Sequence, residues 1–237
     1  MEQSTKITAE QVKAGRYIPG SLDCEGDIEI AEGLGKILFT SLKASGNILA
    51  TGDTSISCDE DIEVGGKIVV GGSIQAGGSI LAGQYIRAGG GVKAGREIKA
   101  STYIEAGFEI EAGESILAGR YILAGFDIQA GERIKAGAYI QSGDDIQACG
   151  DIQASGRIKA GADIVAGSGI QAGESIVAGA EIEAGLSVFA GLVSYRKPSS
   201  SEMEIRCRRL TSGEVAYGTL IEEEEAETPL TGGSVQG

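Results

Sequence analysis

The sequence predicts an all-β chain, a three-sided parallel β-helix with 18 residues per coil, an N-terminal cap and a C-terminal β-hairpin. Three observations predict it. The first is a hexad, G-x-x-I-x-A, whose aliphatic position recurs every six residues from Ile62 to Val188 without an insertion. The second is a longer period: Tyr85, Tyr103, Tyr121 and Tyr139 are spaced by 18, as are Glu109, Asp127, Asp145, Asp163 and Glu181, and so are Phe108 and Phe126. The third is composition: 39 Gly but only 3 Pro among 237 residues exclude collagen, and 42% hydrophobic content excludes wholesale disorder.

Each hexad reads as a short strand and a corner. Ile and Ala two residues apart point to the same side of an extended chain, and the Gly that follows permits a bend that a Cβ would resist. Three hexads make one coil, because residues on one wall of a three-sided coil recur every 18 and the tyrosines do so. A period of 12 or 24 would scatter them.

The ends depart from the repeat. Upstream, Leu42, Ile48 and Ile56 continue the register with a two-residue slip between the last two, so the β-helix is expected over 42–191. Residues 1–41 carry isolated repeat-like fragments and are read as an N-terminal cap or degenerate first coils, since an open coil end exposes a sheet edge. Beyond Gly191, the segment LVSYRKPSSS reads as a linker. The alternating runs EMEIRCRRL and EVAYGTLI around TSGE then read as a hairpin, giving a unit over 192–221. Residues 222–237 are too polar and charged to pack and are expected to be a disordered acidic tail.

Several functions are disfavoured. The chain has no His, which removes the commonest general base and metal ligand, and it shows no P-loop, no G-x-S-x-G and no dinucleotide fingerprint, so no enzyme, no cofactor and no metal are expected. Cys24, Cys58, Cys149 and Cys207 lie too far apart for a C-x-x-C pair and are expected as buried, reduced thiols. No apolar run is long enough for a signal peptide or a membrane span, which points to a cytoplasmic protein with no membrane partner. The net charge of -14 argues against direct nucleic-acid binding, although 192–221 is net positive through Arg196, Lys197, Arg206, Arg208 and Arg209.

The repeat, read as A-G-x-x-I-x over about 42–191, resembles the hexapeptide-repeat β-helix family, with the aliphatic and small slots exchanged. It is also similar to the bactofilins, three-sided β-helices that form bacterial cytoskeletal polymers. The first resemblance implies a family that includes acyltransferases, but those depend on a catalytic His and on projecting loops that this chain lacks. Both resemblances bear on the fold and carry no residue role over.

The two ladders are the candidate binding residues. Tyr85, Tyr103, Tyr121 and Tyr139 could form a contact stripe flanked by Arg87 and Arg120, or reflect strand propensity and ring stacking. Phe108 and Phe126, expected on the outside, suggest a contact surface or shielding by another subunit. Glu109, Asp127, Asp145, Asp163 and Glu181 should repel one coil apart, so a cation, a basic partner or nearby Arg is expected to compensate unless the face is simply solvated. The leading expectation is a non-catalytic rigid acidic surface for a protein partner with a basic surface. Its sharpest form is an inhibitor that imitates a nucleic-acid backbone, as anti-restriction proteins of phages and plasmids do. The alternative is a structural scaffold or bactofilin-like polymer, and a homodimer is expected through the hairpin residues Met203, Ile205 and Cys207.

Overall fold

The computed structural model describes residues 3–17, 20–191 and 199–223. The chain is an all-β parallel solenoid of about 11 coils with about 18 residues per turn. Each coil contributes three short strands to three walls. Wall 1 takes Leu42–Ala44, Ile62–Val64, Ile80–Ala82 and their successors, paired in parallel register as Leu42 on Ile62 and Ile62 on Ile80. Wall 2 takes Ile48–Ala50, Ile68–Val70, Ile86–Ala88, Tyr103–Ala106 and onward, and is a sheet of 12 strands. Wall 3 takes Ser55–Cys58, Ile74–Ala76, Val92–Ala94, Ile110–Ala112 and onward. Walls 1 and 3 merge into one 21-stranded sheet because the strand Glu181–Phe189 rounds a corner, placing Ile182 on Ile164 and Val188 on Ile170.

The interior is the hexad itself. Every inward Ile from Ile80 to Ile182 is fully buried, and the Ala two residues on is nearly so. Over these coils stacking identical branched side chains fills the prism without an aromatic residue, whereas Phe39 is fully buried in an earlier coil, and each buried Ile stabilises the rod by about 1.5 to 3 kcal/mol. The corner glycines are required by proximity rather than by a left-handed backbone. A Cβ built on Gly125 would run into the carbonyl oxygen of Gly107, and one on Gly107 into that of Gly89.

The two-residue slip appears where the spacing placed it. Ile48 pairs with Ile68, 20 residues on, whereas Ile56 pairs with Ile74, 18 residues on, so the extra residues are absorbed at the corner Thr51 to Thr54. The stack extends back beyond residue 42. Leu22–Cys24 lies under Leu42–Ala44, Gly26–Ile30 under Ile48–Ala50, and Gln3–Ile7 under Gly26–Ile30. Val12–Lys13 and Arg16–Tyr17 form a small antiparallel pair on this end.

The C-terminal hairpin is replaced by further coil. Glu204–Cys207 pairs in parallel with Ile176–Val177, and Thr219–Glu222 in parallel with Glu204–Cys207. The residues read as a turn lie inside the long strand Arg209–Tyr217, where Gly213, at φ +99°, rounds a solenoid corner. The cause is the core. Ile205 and Cys207 bury fully on the preceding coil, and a detached hairpin would leave them in water. Of the apolar set expected to make a dimer through the hairpin, Ile205 and Cys207 are therefore spent on the rod's own interior, and Met203 is half-buried. The linker residues 192–198, with Arg196 and Lys197, and the tail beyond Glu223 lie outside the described residues.

No helix among the described residues is long and apolar enough to cross a membrane. Cys24, Cys58 and Cys207 are buried free thiols, but Cys149 is exposed, because it occupies the corner column that glycine fills in neighbouring coils. Burial raises the Cys58 thiol, and burial with the charge of Glu222 pushes Cys207 up to about 11, which keeps both protonated.

Candidate functional site

The residue before each inward Ile stands at a corner, and the same slot carries different chemistry on different corners. Where the chain enters wall 2 the column reads Asn47, Lys67, Tyr85, Tyr103, Tyr121, Tyr139, Arg157. Where it enters wall 3 the column reads Ser55, Ser73, Gly91, Glu109, Asp127, Asp145, Asp163, Glu181. The two columns border wall 2 on its opposite sides.

The tyrosines form one continuous stack. Ring centroids are 4.5 Å apart for Tyr85 and Tyr103, 4.7 Å for Tyr103 and Tyr121, and 5.0 Å for Tyr121 and Tyr139, with interplanar angles of 13°, 5° and 3°. The pitch of a parallel β stack, about 4.8 Å, sets that spacing, so ring stacking comes with the backbone register. A cation closes each end: Lys67 Nζ lies 6.0 Å from the Tyr85 ring and the Arg157 guanidinium 5.6 Å from the Tyr139 ring. Both cations belong to the column itself, at the same 18-residue register, and are not the expected flanking charges Arg87 and Arg120. Burial between its neighbours, then the charges of Tyr85 and Tyr121, push the Tyr103 hydroxyl up to about 12. Tyr121 is raised by burial and by Glu105, with Arg120 and Arg87 pulling the other way.

The acidic column is held by the backbone. One oxygen of Asp127 accepts the N–H of Asp145 at 3.1 Å, Asp145 accepts that of Asp163 at 2.9 Å, and Asp163 accepts that of Glu181 at 2.8 Å. This is the missing compensation for like charges one coil apart. Each of the three aspartates points one oxygen at a peptide donor of the next coil, a charge-assisted bond, rather than at its neighbouring carboxylate. The device recurs at other corners, where Asp27 accepts from Asn47, Asn47 from Lys67, Asp61 from Ser79 and Asp151 from Gly169. A short polar acceptor before the inward Ile was the sequence signal for it.

Phe108 and Phe126 stand one residue before the acidic column, stacked at 5.7 Å with an interplanar angle of 8°. They are 51% and 50% exposed, against 0% for the neighbouring core Ile110 and Ile128. In the same slot neighbouring coils carry Gly72, Gly90, Asp144 and Ala162, so the fold does not require rings there. Beneath them the buried Ser142 replaces the usual Ala. Its hydroxyl lies in donor reach of the Phe126 and Asp145 carbonyls and accepts the Asp144 N–H, which pins the corner backbone.

Wall 2 between these borders carries Val69, Arg87, Glu105, Leu123 and Gln141 outward, beside an open trough floored by Gly71, Gly89, Gly107, Gly125 and Gly143. Arg87 and Glu105 pair at 3.3 Å. Among the described residues no group of three or more Cys, Asp or Glu is placed to hold a metal ion. No protein family, curated protein or solved structure matches the chain.

Proposed function

We propose that the chain is a non-catalytic rigid rod that binds a protein partner with a basic surface through the corner formed by Phe108, Phe126 and the column from Glu109 to Glu181. The observation that carries this reading is the pair of half-exposed phenylalanines. Stacked rings beside a row of carboxylates offer an apolar anchor with a charged rim, the composition of a recognition patch, at a position where the repeat itself is content with Gly or Ala. The carboxylates steer and orient such a partner while the rings supply the desolvated contact.

A capture experiment with the purified chain tests it. The parent and a Gln153→Ser control on wall 1 should retain a basic protein at low salt. Phe108→Ser with Phe126→Ser should lose it, and so should the triple change of Asp127, Asp145 and Asp163 to Asn. Equal retention by all four proteins would sink the proposal. Displacement of duplex DNA from the captured partner tests the finer reading, in which the carboxylates imitate a nucleic-acid backbone.

A second reading, a structural scaffold built end to end, draws on the two ends of the rod. Val12 and Leu22 near one end and Leu210, Val215 and Leu220 at the other are only partly buried against the core. At the C-terminal end the last strands run parallel to the stack, so a further coil could be added there in the same sense. Electron microscopy over a range of salt would support this reading if filaments form, and discrete short rods throughout would oppose it.

A further inference from the structure

The acidic corner has a chemical complement on the other border of the same wall. Lys67 and Arg157 cap the tyrosine stack, and Arg120 and Arg87 act on Tyr121, with Glu105 as the acidic group facing that stack. Lys67, Arg120 and Arg157 thus stand with the hydroxyl donors along one edge of a chain whose net charge is -14, with Arg87 in the middle of the wall, while the opposite edge carries the five carboxylates and Asp144. We infer that wall 2 pairs face to face with wall 2 of a second copy, the rods parallel and related by a twofold axis along their length, so that the tyrosine corner of each meets the acidic corner of the other. The inference rests on the acidic corner being a binding surface and names a second copy as its partner.

The register of the repeat decides the orientation. In each coil the chain crosses wall 2 from the tyrosine slot to the acidic slot in six residues, so Tyr103 shares a level with Glu109, Tyr121 with Asp127, Tyr139 with Asp145, and Arg157 with Asp163. The offset within a coil is about a third of the ~4.8 Å pitch, roughly 1.6 Å. Rotation about an axis along the rod preserves levels and exchanges the two borders. Phenol donors and a guanidinium then meet a carboxylate oxygen in successive coils, and each pairing occurs twice, as an isologous interface requires. The antiparallel arrangement keeps each border facing itself and would lay carboxylates on carboxylates, which is disfavoured.

The middle of the wall fits the same arrangement. Residues of its outward column face their own copies across the axis, which sets Leu123 against Leu123 and Gln141 against Gln141. Arg87 and Glu105 also face their own copies, but they are already paired with each other within each rod at 3.3 Å and, standing one coil apart, each lies diagonal to its opposite on the partner. Lys159 faces its own copy, and Asp163 of the partner's acidic border lies at that level. Phe108 and Phe126, half-exposed in the free rod, would be covered by the partner's tyrosine border.

Two measurements test this. With Cys149→Ser removing the exposed thiol, Gln141→Cys should form a disulfide-linked dimer under mild oxidation, whereas Gln153→Cys on wall 1 should not. In sedimentation, Arg157→Asp and Asp163→Arg should each weaken self-association at least tenfold, and the two together should restore it. Because Asp163 also accepts the Glu181 N–H, a thermal melt accompanies that variant, and the Gln141→Cys cross-link leaves the bond intact. A monomeric parent, a trimer without the Gln141→Cys link, or a double variant no better than the singles would overturn the inference. The failures separate cleanly: Arg157→Asp leaves every carboxylate in place. If a basic protein is still captured in an Asp- and Phe-dependent way while the rod stays monomeric, only the second copy as partner falls.

Discussion

The tyrosine corner and the aspartate corner occupy one slot of one hexad, separated along the chain by six residues, yet they solve the problem of self-stacking in unlike ways. In a solenoid each side chain must tolerate a near-copy of itself about 4.8 Å above and below. Tyrosine does so by direct attraction, ring on ring. Aspartate does so by turning its oxygen to the next coil's peptide N–H, so that the nearest partner of each carboxylate is a donor rather than another anion. A ladder of like charges is thus a backbone-capping device first. Its second oxygens and its charge remain available at the surface.

Both corners hang on the same interior, and the largest expected effect removes that shared support. Ile128→Asp buries an unpaired carboxylate in a fully buried column and should cost at least about 3 kcal/mol, enough to melt both corners together. Gln129→Ser, one residue away on the outside, where the Gln129 side-chain N–H donates to the Gln147 amide oxygen, should change the melting temperature little. Equal melts for the two variants would refute the assignment of inside and outside.

The next test separates the corners. Asp145→Ala deletes an acceptor used by the Asp163 N–H and should cost about 1 kcal/mol, whereas Asp145→Asn keeps an oxygen in place, removes like-charge repulsion, and should be neutral or stabilising. At the other corner Tyr121→Ser breaks two ring stacks and should cost about 1 to 3 kcal/mol, while Tyr121→Phe keeps them and should be nearly silent. If Asp145→Ala and Asp145→Asn melt alike, the peptide bonds do not hold the acidic column.

The contrast also marks what the residue pattern could carry. A period of six for Ile and Ala and of 18 for Tyr and Asp is a statement about which residues stack, and parallel pairing in register follows from it directly. Which donor an aspartate oxygen meets depends on how closely successive corners approach, and no spacing expresses that distance. The charges at the ends of the tyrosine column are legible in the spacing, since Lys67 and Arg157 keep the register of 18, whereas Arg87 and Arg120 are only near in the chain to Tyr85 and Tyr121. At the C-terminus the alternation of Met203, Ile205 and Cys207 suits a hairpin and a coil equally. The open end of the preceding coil, which Ile205 covers, decided between them.

The smallest expected effect is a pH dependence confined to the tyrosine corner. Tyr103 is held near 12 in the folded rod, chiefly by burial between its neighbours and then by the charges of Tyr85 and Tyr121, while an unfolded chain titrates tyrosine near ~10. Between these values the folded chain keeps a proton that the unfolded chain releases. The stability contributed by this group is therefore complete below about pH 10 and is lost as pH rises through about 12. Melting temperatures followed from pH 9 to 12 should fall less steeply for Tyr103→Phe, which has no hydroxyl to ionise but keeps the stacked ring. The Asp127, Asp145 and Asp163 to Asn variant should follow the parent's slope, because it leaves every ring of the tyrosine stack in place. Absorbance of the tyrosinate band should show at least one ring ionising well after the others. Parallel slopes for the parent and Tyr103→Phe would mean that the stack does not hold its central hydroxyl, and that the two corners differ in geometry alone.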